Sequence, residues 1–564
     1  MRRIPIIGSW VYACALGLHL WPNASPAQDP FGTIDRPSER PLPLPEYLPD
    51  KTNKPFELPP LDRRDEAPAE GEPQVDVEGF IFDGNKVIPT EVLDRVAFPY
   101  AHRRLSVAQL EELRQKLTRV YVDNGYINSG VLLEDDFLQN GIVRFRVVEG
   151  RLQEMRASGL GGLRPSYLRE RLVREGEVLN ANALQERFQL LLTDPLFSKV
   201  NARLQPGERP GLATLDVDVT RARPWELAVY ANNHYPPSVG TNTLGIAGTA
   251  RNLSGVGDTL WASAETGGED DSSFDRSRYN IAWDVPLVYR TDLLLHYEYG
   301  KSIVIEEPLD TLDINNNFES YDAGLSHAFV DSLSRRISAG VTWNHRKSSS
   351  ELLGEPFSFV AGEPTGTSKV IATRFEQDWT ERWERQALAV RSTFSWGRTN
   401  TIESTDPAVA PQHFFVWLGQ ANFVRRVLQN GASISLRGTV QVTHDRLVPL
   451  EQFALGGAST VRGYIENQLV RDRGYNASIE FHYPILQNPG QRYQVMVVPF
   501  FDIGRAGNQG GKNQQLSSVG LGLTAQHKGF SGELFYGYQL DDIGAKKTGT
   551  LQNHGIHFQV QYAF

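Results

Sequence analysis

One cysteine and three methionines occur in 564 residues. A disulfide framework, a thiolate-bound zinc and an iron–sulfur cluster all need several thiolates, so that count excludes them. Positive charge is not in excess either: 57 Lys and Arg stand against 67 Asp and Glu, a formal net charge of −10. Phosphate binding draws on clustered basic residues, so no nucleic-acid partner is expected. No apolar run of spanning length follows the amino-terminal segment, which rules out a bundle of membrane helices. His-Glu-x-x-His, Gly-x-Ser-x-Gly and a phosphate-cradling loop are all missing, and the 12 histidines are scattered. Neither an enzyme, a bound metal nor a cofactor is expected. What is plentiful is aromatic residues, with 27 Phe, 20 Tyr and 10 Trp.

The chain opens on Arg2 and Arg3, continues through an apolar stretch from Ile4 to Trp21, and reaches Asn23-Ala24-Ser25-Pro26-Ala27. Small residues at Ser25 and Ala27 predict a signal peptide over 1–27, cut before Gln28. Cleavage removes Cys14, the only thiol, which suits a chain that crosses an oxidising compartment unfolded. From 28 to 73 follows an arm whose prolines (Pro37, Pro41, Pro43, Pro45, Pro49, Pro55, Pro59, Pro60) forbid helix or sheet. It reads as extended or polyproline-like, a spacer, a docking peptide or a plug.

Two units of similar grammar occupy 74–150 and 151–222. The first predicts a strand over Val75–Phe82, a short helix after Pro89 and a longer helix from Ser106, where Ser106 and Gln109 make a capping box. Leu110, Leu113, Leu117 and Tyr121 recur at helical spacing, and strands follow around Val131–Glu134 and Ile142–Val148. The second repeats the order with a strand from Arg151, helices near Tyr167–Val173 and from Asn182, and a hairpin over Lys199–Leu204 and Ala213–Val219. Each must hide one sheet face under helices and keeps a free strand edge, where an extended peptide can add itself.

From 223 to 564 the helical period disappears and two-residue alternation takes over. Stripes such as Trp225, Leu227, Val229, then Tyr279, Ile281, Trp283, and then Leu534, Tyr536, Tyr538 alternate with Asn, Ser, Thr, Arg and Gly. This is the pattern of a wall with lipid on one face and water on the other. About sixteen such segments are present, an even number that closes antiparallel. The chain ends on Ile556, Phe558, Val560, Tyr562 and Phe564, apolar at every second position. The predicted fold is therefore an all-β transmembrane barrel of 16 antiparallel strands behind two small α+β domains. Glu269 to Asp275 reads as a hydrated acidic turn.

Two short sequences exceed what a wall needs. One is Gly456-Gly457-Ala458-Ser459-Thr460-Val461-Arg462-Gly463-Tyr464, within a long connection from about 445 to 473. The other is Phe500-Phe501-Asp502-Ile503-Gly504, where the phase of Tyr493, Val495, Val497 and Phe501 points Phe500, Asp502 and Gly504 into the lumen. Arg462, freed by flanking glycines, can fold inside and meet Asp502 as a bidentate pair.

At these residues the chain resembles the two-partner secretion transporters, outer-membrane translocators of haemolysin and filamentous-haemagglutinin type, within the barrel-assembly-factor superfamily. Val461-Arg462-Gly463-Tyr464 is similar to the family's loop motif, and Phe500, Asp502 and Gly504 to its barrel-wall motif. Asn252-Leu253-Ser254-Gly255-Val256-Gly257-Asp258 and Val148-Glu149-Gly150-Arg151 are similar too. The resemblance implies two periplasmic POTRA domains (polypeptide-transport-associated), a sixteen-stranded barrel in the outer membrane, and an inward-tucked loop. It implies a large secreted exoprotein as client, passed through the pore without nucleotide, with outer-membrane lipid around the wall. It also implies that the barrel-assembly machinery reads Phe558, Val560, Tyr562 and Phe564 as an assembly signal. An insertase for other barrels and a clientless porin are the alternatives. The family's amino-terminal plug helix is not matched by so proline-rich an arm.

Overall fold

The computed structural model describes residues 36–39, 42–48, 56–57, 74–268, 276–306, 309–488, 490, 493–544 and 549–564. The signal peptide, most of the arm and the Glu269–Asp275 turn lie outside the described residues.

In the first unit the Ser106 hydroxyl accepts the Gln109 N–H at 3.2 Å, and Gln109 Oε1 accepts the Ser106 N–H at 2.9 Å. This reciprocal cap starts the helix Val107–Asp123 and satisfies two amides that would otherwise face water alone. Leu110, Leu113, Leu117 and Tyr121 then lie on one face, fully buried, against Val143 and Phe145. Those two belong to Ile142–Val148, the centre of a three-stranded sheet with Gly79–Asp83 parallel and Gly130–Gln139 antiparallel. The single strand expected over Val75–Phe82 is broken. Glu78 gives its N–H to the Gly141 carbonyl at 2.7 Å, and Gln74–Val77 pairs instead with Arg103–Ser106.

In the second unit helices Pro165–Leu172 and Ala181–Leu192 cover a sheet ordered Phe56–Glu57, Phe197–Pro206, Leu212–Arg221, Arg151–Ser158. Leu184, Phe188 and Leu191 pack on Leu215 and Val217. Tyr167 donates to Asp194 at 2.6 Å; burial, and then the Asp194 charge, push its phenol pKa up, so it stays a neutral donor. The outermost strand corrects the reading of the arm as incapable of sheet. Phe56–Glu57 runs parallel to Ala202–Arg203, because an edge strand tolerates neighbouring prolines where a central one does not.

Glu149 Oε1 accepts the N–H groups of Lys86 and Val87 at 2.5 and 2.7 Å. Gly150 takes part in bonds to Ser129 and Leu179, and Arg151 donates to Gly211 at 2.8 Å. These contacts join the two units at Val148-Glu149-Gly150-Arg151. A Cβ on Gly150 would sit 2.3 Å from the Asn128 carboxamide, so a side chain there would displace Asn128 from its bond to the Gly211 carbonyl.

The remaining chain forms a closed antiparallel barrel of sixteen strands. They are β1 Trp225–Asn232, β2 Asn242–Arg251, β3 Thr259–Gly268, β4 Arg276–Val288, β5 Thr291–Ile303, β6 Asn315–Asp331, β7 Arg335–Leu352 and β8 Thr367–Arg382. Then come β9 Gln386–Thr399, β10 His413–Arg426, β11 Ser433–Val442, β12 Arg473–Asn488, β13 Tyr493–Gly507, β14 Gln514–His527, β15 Phe530–Gln539 and β16 Ile556–Ala563. Trp225, Tyr279, Ile281, Trp343, Tyr536 and Tyr562 are exposed on the outer face, while Asn280, Asn344, Gln420 and Gln441 are buried inside. The alternation thus separates a lipid face from a polar lumen. β1 closes on β16 through Ala228–Asn232 against Gln559–Ala563.

The second unit docks under the barrel at the β2–β3 and β4–β5 turns. Arg164 donates its N–H to the Gly255 carbonyl at 2.9 Å, and Arg174 reaches the Tyr289 hydroxyl at 2.9 Å. Gly257, at φ +90°, lies flat on Tyr167; a Cβ there would be 2.3 Å from the ring. Residues 36–39 and 42–48 of the arm enter the barrel. Arg36 Nε donates to the Pro449 carbonyl at 2.8 Å, Asn422 donates to the Leu42 carbonyl, and the Arg426 guanidinium covers the Tyr47 ring at 4.1 Å. Leu48 N–H meets the Trp383 carbonyl at 3.0 Å. Beyond a single 3-10 turn at Pro37–Glu39, residues 42–48 hold no regular secondary structure, in keeping with the missing N–H groups of proline.

Candidate functional site

The connection between β11 and β12 folds back inside the barrel as a hairpin, Phe453–Leu455 pairing with Leu469–Arg471. Its tip turns on Gly456 and Gly457, at φ +106° and +108°, a region closed to most side chains. Glu466 accepts the Ala458 N–H at 2.7 Å across the tip. Val461 and Tyr464 are wholly buried with Phe453, Leu455, Leu469 and Leu516. The tyrosine hydroxyl donates to the Asp541 carbonyl at 2.8 Å.

Arg462 crosses to the wall. Its Nε and Nη2 meet Asp502 Oδ2 and Oδ1, both at 2.8 Å, and the Arg462 N–H adds a third bond to Oδ2 at 3.1 Å. Nη1 lies 2.7 Å from Glu480 Oε1 on β12, and Nη2 donates to Ser478 at 3.0 Å. The guanidinium plane stacks 3.7 Å from the Phe500 ring centroid and 4.7 Å from that of Phe535. Arg462 and Asp502 are 2% and 0% exposed, so the pair is shielded from screening by salt. Each member of the wall motif has a distinct task. Phe500 carries the cation, Asp502 forks it, and Gly504 leaves room for Leu455, whose Cδ1 would be 2.4 Å from any Cβ there.

The chain matches the haemolysin secretion/activation proteins ShlB/FhaC/HecB over residues 211–525, and the ShlB-type POTRA domain over 75–150. It belongs to this family of two-partner secretion transporters. The outer membrane transporter CdiB of Escherichia coli is 24% identical over 71% of this chain and 67% of its own. The heme/hemopexin transporter protein HuxB of Haemophilus influenzae (strain 86-028NP) is 23% identical over 79% and 80%. The solved CdiB structure from Escherichia coli superposes with a TM-score of 0.69 at 20% identity, covering 88% of this chain and 92% of that one. The barrel accordingly sits in the outer membrane with its POTRA domains in the periplasm.

In this two-partner transporter the hairpin has two further attachments that the motifs do not announce. At its root Glu451 meets Arg374 at 2.7 Å and Arg346 at 3.9 Å, while Asp472 accepts the N–H groups of Leu447 and Gln509. Glu480, Arg374 and Arg346 could have been found from one signal, a charged residue in the inward phase of a strand. Beyond the tip, Gln552 precedes β16. Its Oε1 accepts the Glu466 N–H at 3.0 Å, and its Nε2 donates to the Asn233 and Tyr235 carbonyls just after β1. Asn233 in turn bonds Ile556 O and Phe558 N, both at 2.9 Å, extending the seam by a side chain. Nothing in a sequence flags such a glutamine, since all its partners are backbone groups brought together by closure.

Gln552→Met keeps the volume and removes all three bonds, leaving buried carbonyls that cost about 1–3 kcal/mol each. The temperature at which the folded barrel unfolds in SDS is expected to fall by several degrees. An unchanged midpoint would show that the glutamine holds neither hairpin nor seam.

Proposed function

We propose that this transporter binds one large exported polypeptide, unfolded, on the periplasmic POTRA units and passes it through the barrel without nucleotide. The observation that carries this is the hairpin in the lumen. It is held by side-chain pairs and close packing, with no strand pairing to the wall among the described residues, so it is a stopper that can leave and return. The outer edges at Arg151–Ser158 and, beyond the Val131 amide and carbonyl that Thr118 and Arg114 occupy, at Gly130–Gln139 pair with no other strand among the described residues and offer backbone bonds to an extended client of any sequence. Polar inward residues replace water along the path, and folding of the client outside prevents its return. No catalytic group is required. The alternating residues Phe558, Val560, Tyr562 and Phe564 serve the barrel-assembly machinery as the signal for insertion.

A second reading, an insertase for other barrels, draws on the β1–β16 seam, which is shorter than any other pairing of main strands in the wall. Deleting the gene and comparing culture supernatant with outer-membrane protein content separates the two. Loss of a single large secreted polypeptide is the expected result. Broad depletion of outer-membrane barrels would replace secretion by insertion.

A further inference from the structure

The outer wall carries a feature used neither by the hairpin nor by a client in the lumen. On β7 to β10, at the extracellular end, the register stacks the outward residues in rows. Trp343, Thr373, Trp396 and Phe415 form one, His345, Ile371, Arg398 and His413 the next above, and Lys347 with Lys369 the top. This end is extracellular because β7 and β8 meet here through the long connection 353–366, whereas their other ends turn within a few residues. Aromatic side chains belong at this depth. The girdle is interrupted at Thr373, between Trp343 and Trp396, which are 46% and 51% exposed. The interruption leaves a cleft of about 340 Å³ lined by Trp343, Ile371, Thr373, Trp396, Arg398 and His413.

Its floor climbs β8 from Thr373 to Lys369, a rise of about 13 Å, from apolar to basic. Lys347 and Lys369 stand directly opposite each other, which is unfavourable in a sheet without an anion between them. Lys347 has a distant carboxylate, Glu319 at 3.9 Å. Lys369 and Arg398 have no ion-pair partner among the described residues. An apolar slot between two indoles, opening upward onto three cations on adjacent strands, is complementary to an acyl chain joined to a phosphorylated headgroup.

We propose that this cleft is a binding site for one phosphorylated, multiply acylated glycolipid of the outer leaflet. An acyl chain lies along Thr373 and Ile371 between the indoles, and a phosphate bridges Lys347, Lys369 and Arg398. A zwitterionic phospholipid would bring its own cation against the lysines. The test is native mass spectrometry of the purified full chain in non-ionic detergent, with bisphosphorylated lipid A and phosphatidylglycerol as separate probes. One lipid A per chain is expected. The double variant Lys369→Glu/Arg398→Glu is expected to lose at least tenfold in bound fraction. Thr373→Trp, which fills the slot, keeps every charge and completes the girdle, should lose as much; if the charge reversal fails to assemble, this variant alone decides. Lipid A retained by either assembled variant, or phosphatidylglycerol bound as well as lipid A, would overturn the assignment.

Discussion

Arg462→Ala is expected to abolish secretion while a heat-modifiable barrel still reaches the outer membrane. The substitution strands Asp502, which is fully buried and, among the described residues, keeps only the backbone N–H of residue 462 at 3.1 Å. Removing one partner of such a pair costs about 3–5 kcal/mol, a shift of a hundredfold or more between seated and released hairpin at about 1.4 kcal/mol per tenfold. Asp502→Ala should be milder, since Arg462 keeps Glu480 at 2.7 Å and Ser478 at 3.0 Å. Glu480 is itself shared with Arg437 and His482. The double variant should be no worse than Arg462→Ala alone, because both remove one interaction. Arg462→Lys should rescue little, as an ammonium can neither fork Asp502 nor stack flat on Phe500. Secretion assays on the four variants decide it, and losses that add in the double variant would show two independent roles.

Gly537→Ala should have a comparable effect without touching a charge. Gly537 on β15 backs onto the hairpin so closely that a Cβ would be 2.7 Å from Gly463 N and 2.8 Å from Arg462 C and O. The opposing Gly463, at φ +96°, would place its own Cβ 2.9 Å from Gly537. Both contacts are backbone against backbone, so no rotamer relieves them. The methyl group must push the hairpin off the wall even though Arg462, Asp502 and Glu480 remain. Expected are a larger single-channel conductance in planar bilayers and loss of secretion. Conductance and secretion at the parental level would mean that seating against β15 is dispensable.

These two variants also divide what a sequence can disclose from what it cannot. Ser106 with Gln109, the leucine stripe behind them and the alternation of the wall are local patterns, each written within a few residues. Their physics, capping and burial of one face, acts at that same range. Arg462 and Asp502 were legible for a related reason, since glycine neighbours and strand phase are also local. Gly537, Gln552 and Asn233 were not. Gly537 looks like any strand glycine until Gly463, far away in the chain, lies against it, and Gln552 looks like a loop residue until closure brings three backbone partners to its carboxamide. The arm shows the same limit from the other side. Its prolines said nothing of where the chain would run, and Phe56–Glu57 joined a sheet because a vacant edge was within reach.

Composition, strand phase and two short motifs thus determined the class of the protein, a polar-lined cylinder in lipid carried behind two small domains. Which side chains fasten the hairpin, which glycines admit it and where the wall leaves a slot for lipid were decided only by closure of the barrel. Closure alone puts residues separated by tens to hundreds of positions within hydrogen-bonding distance, and contacts of that range leave no periodic trace in the chain.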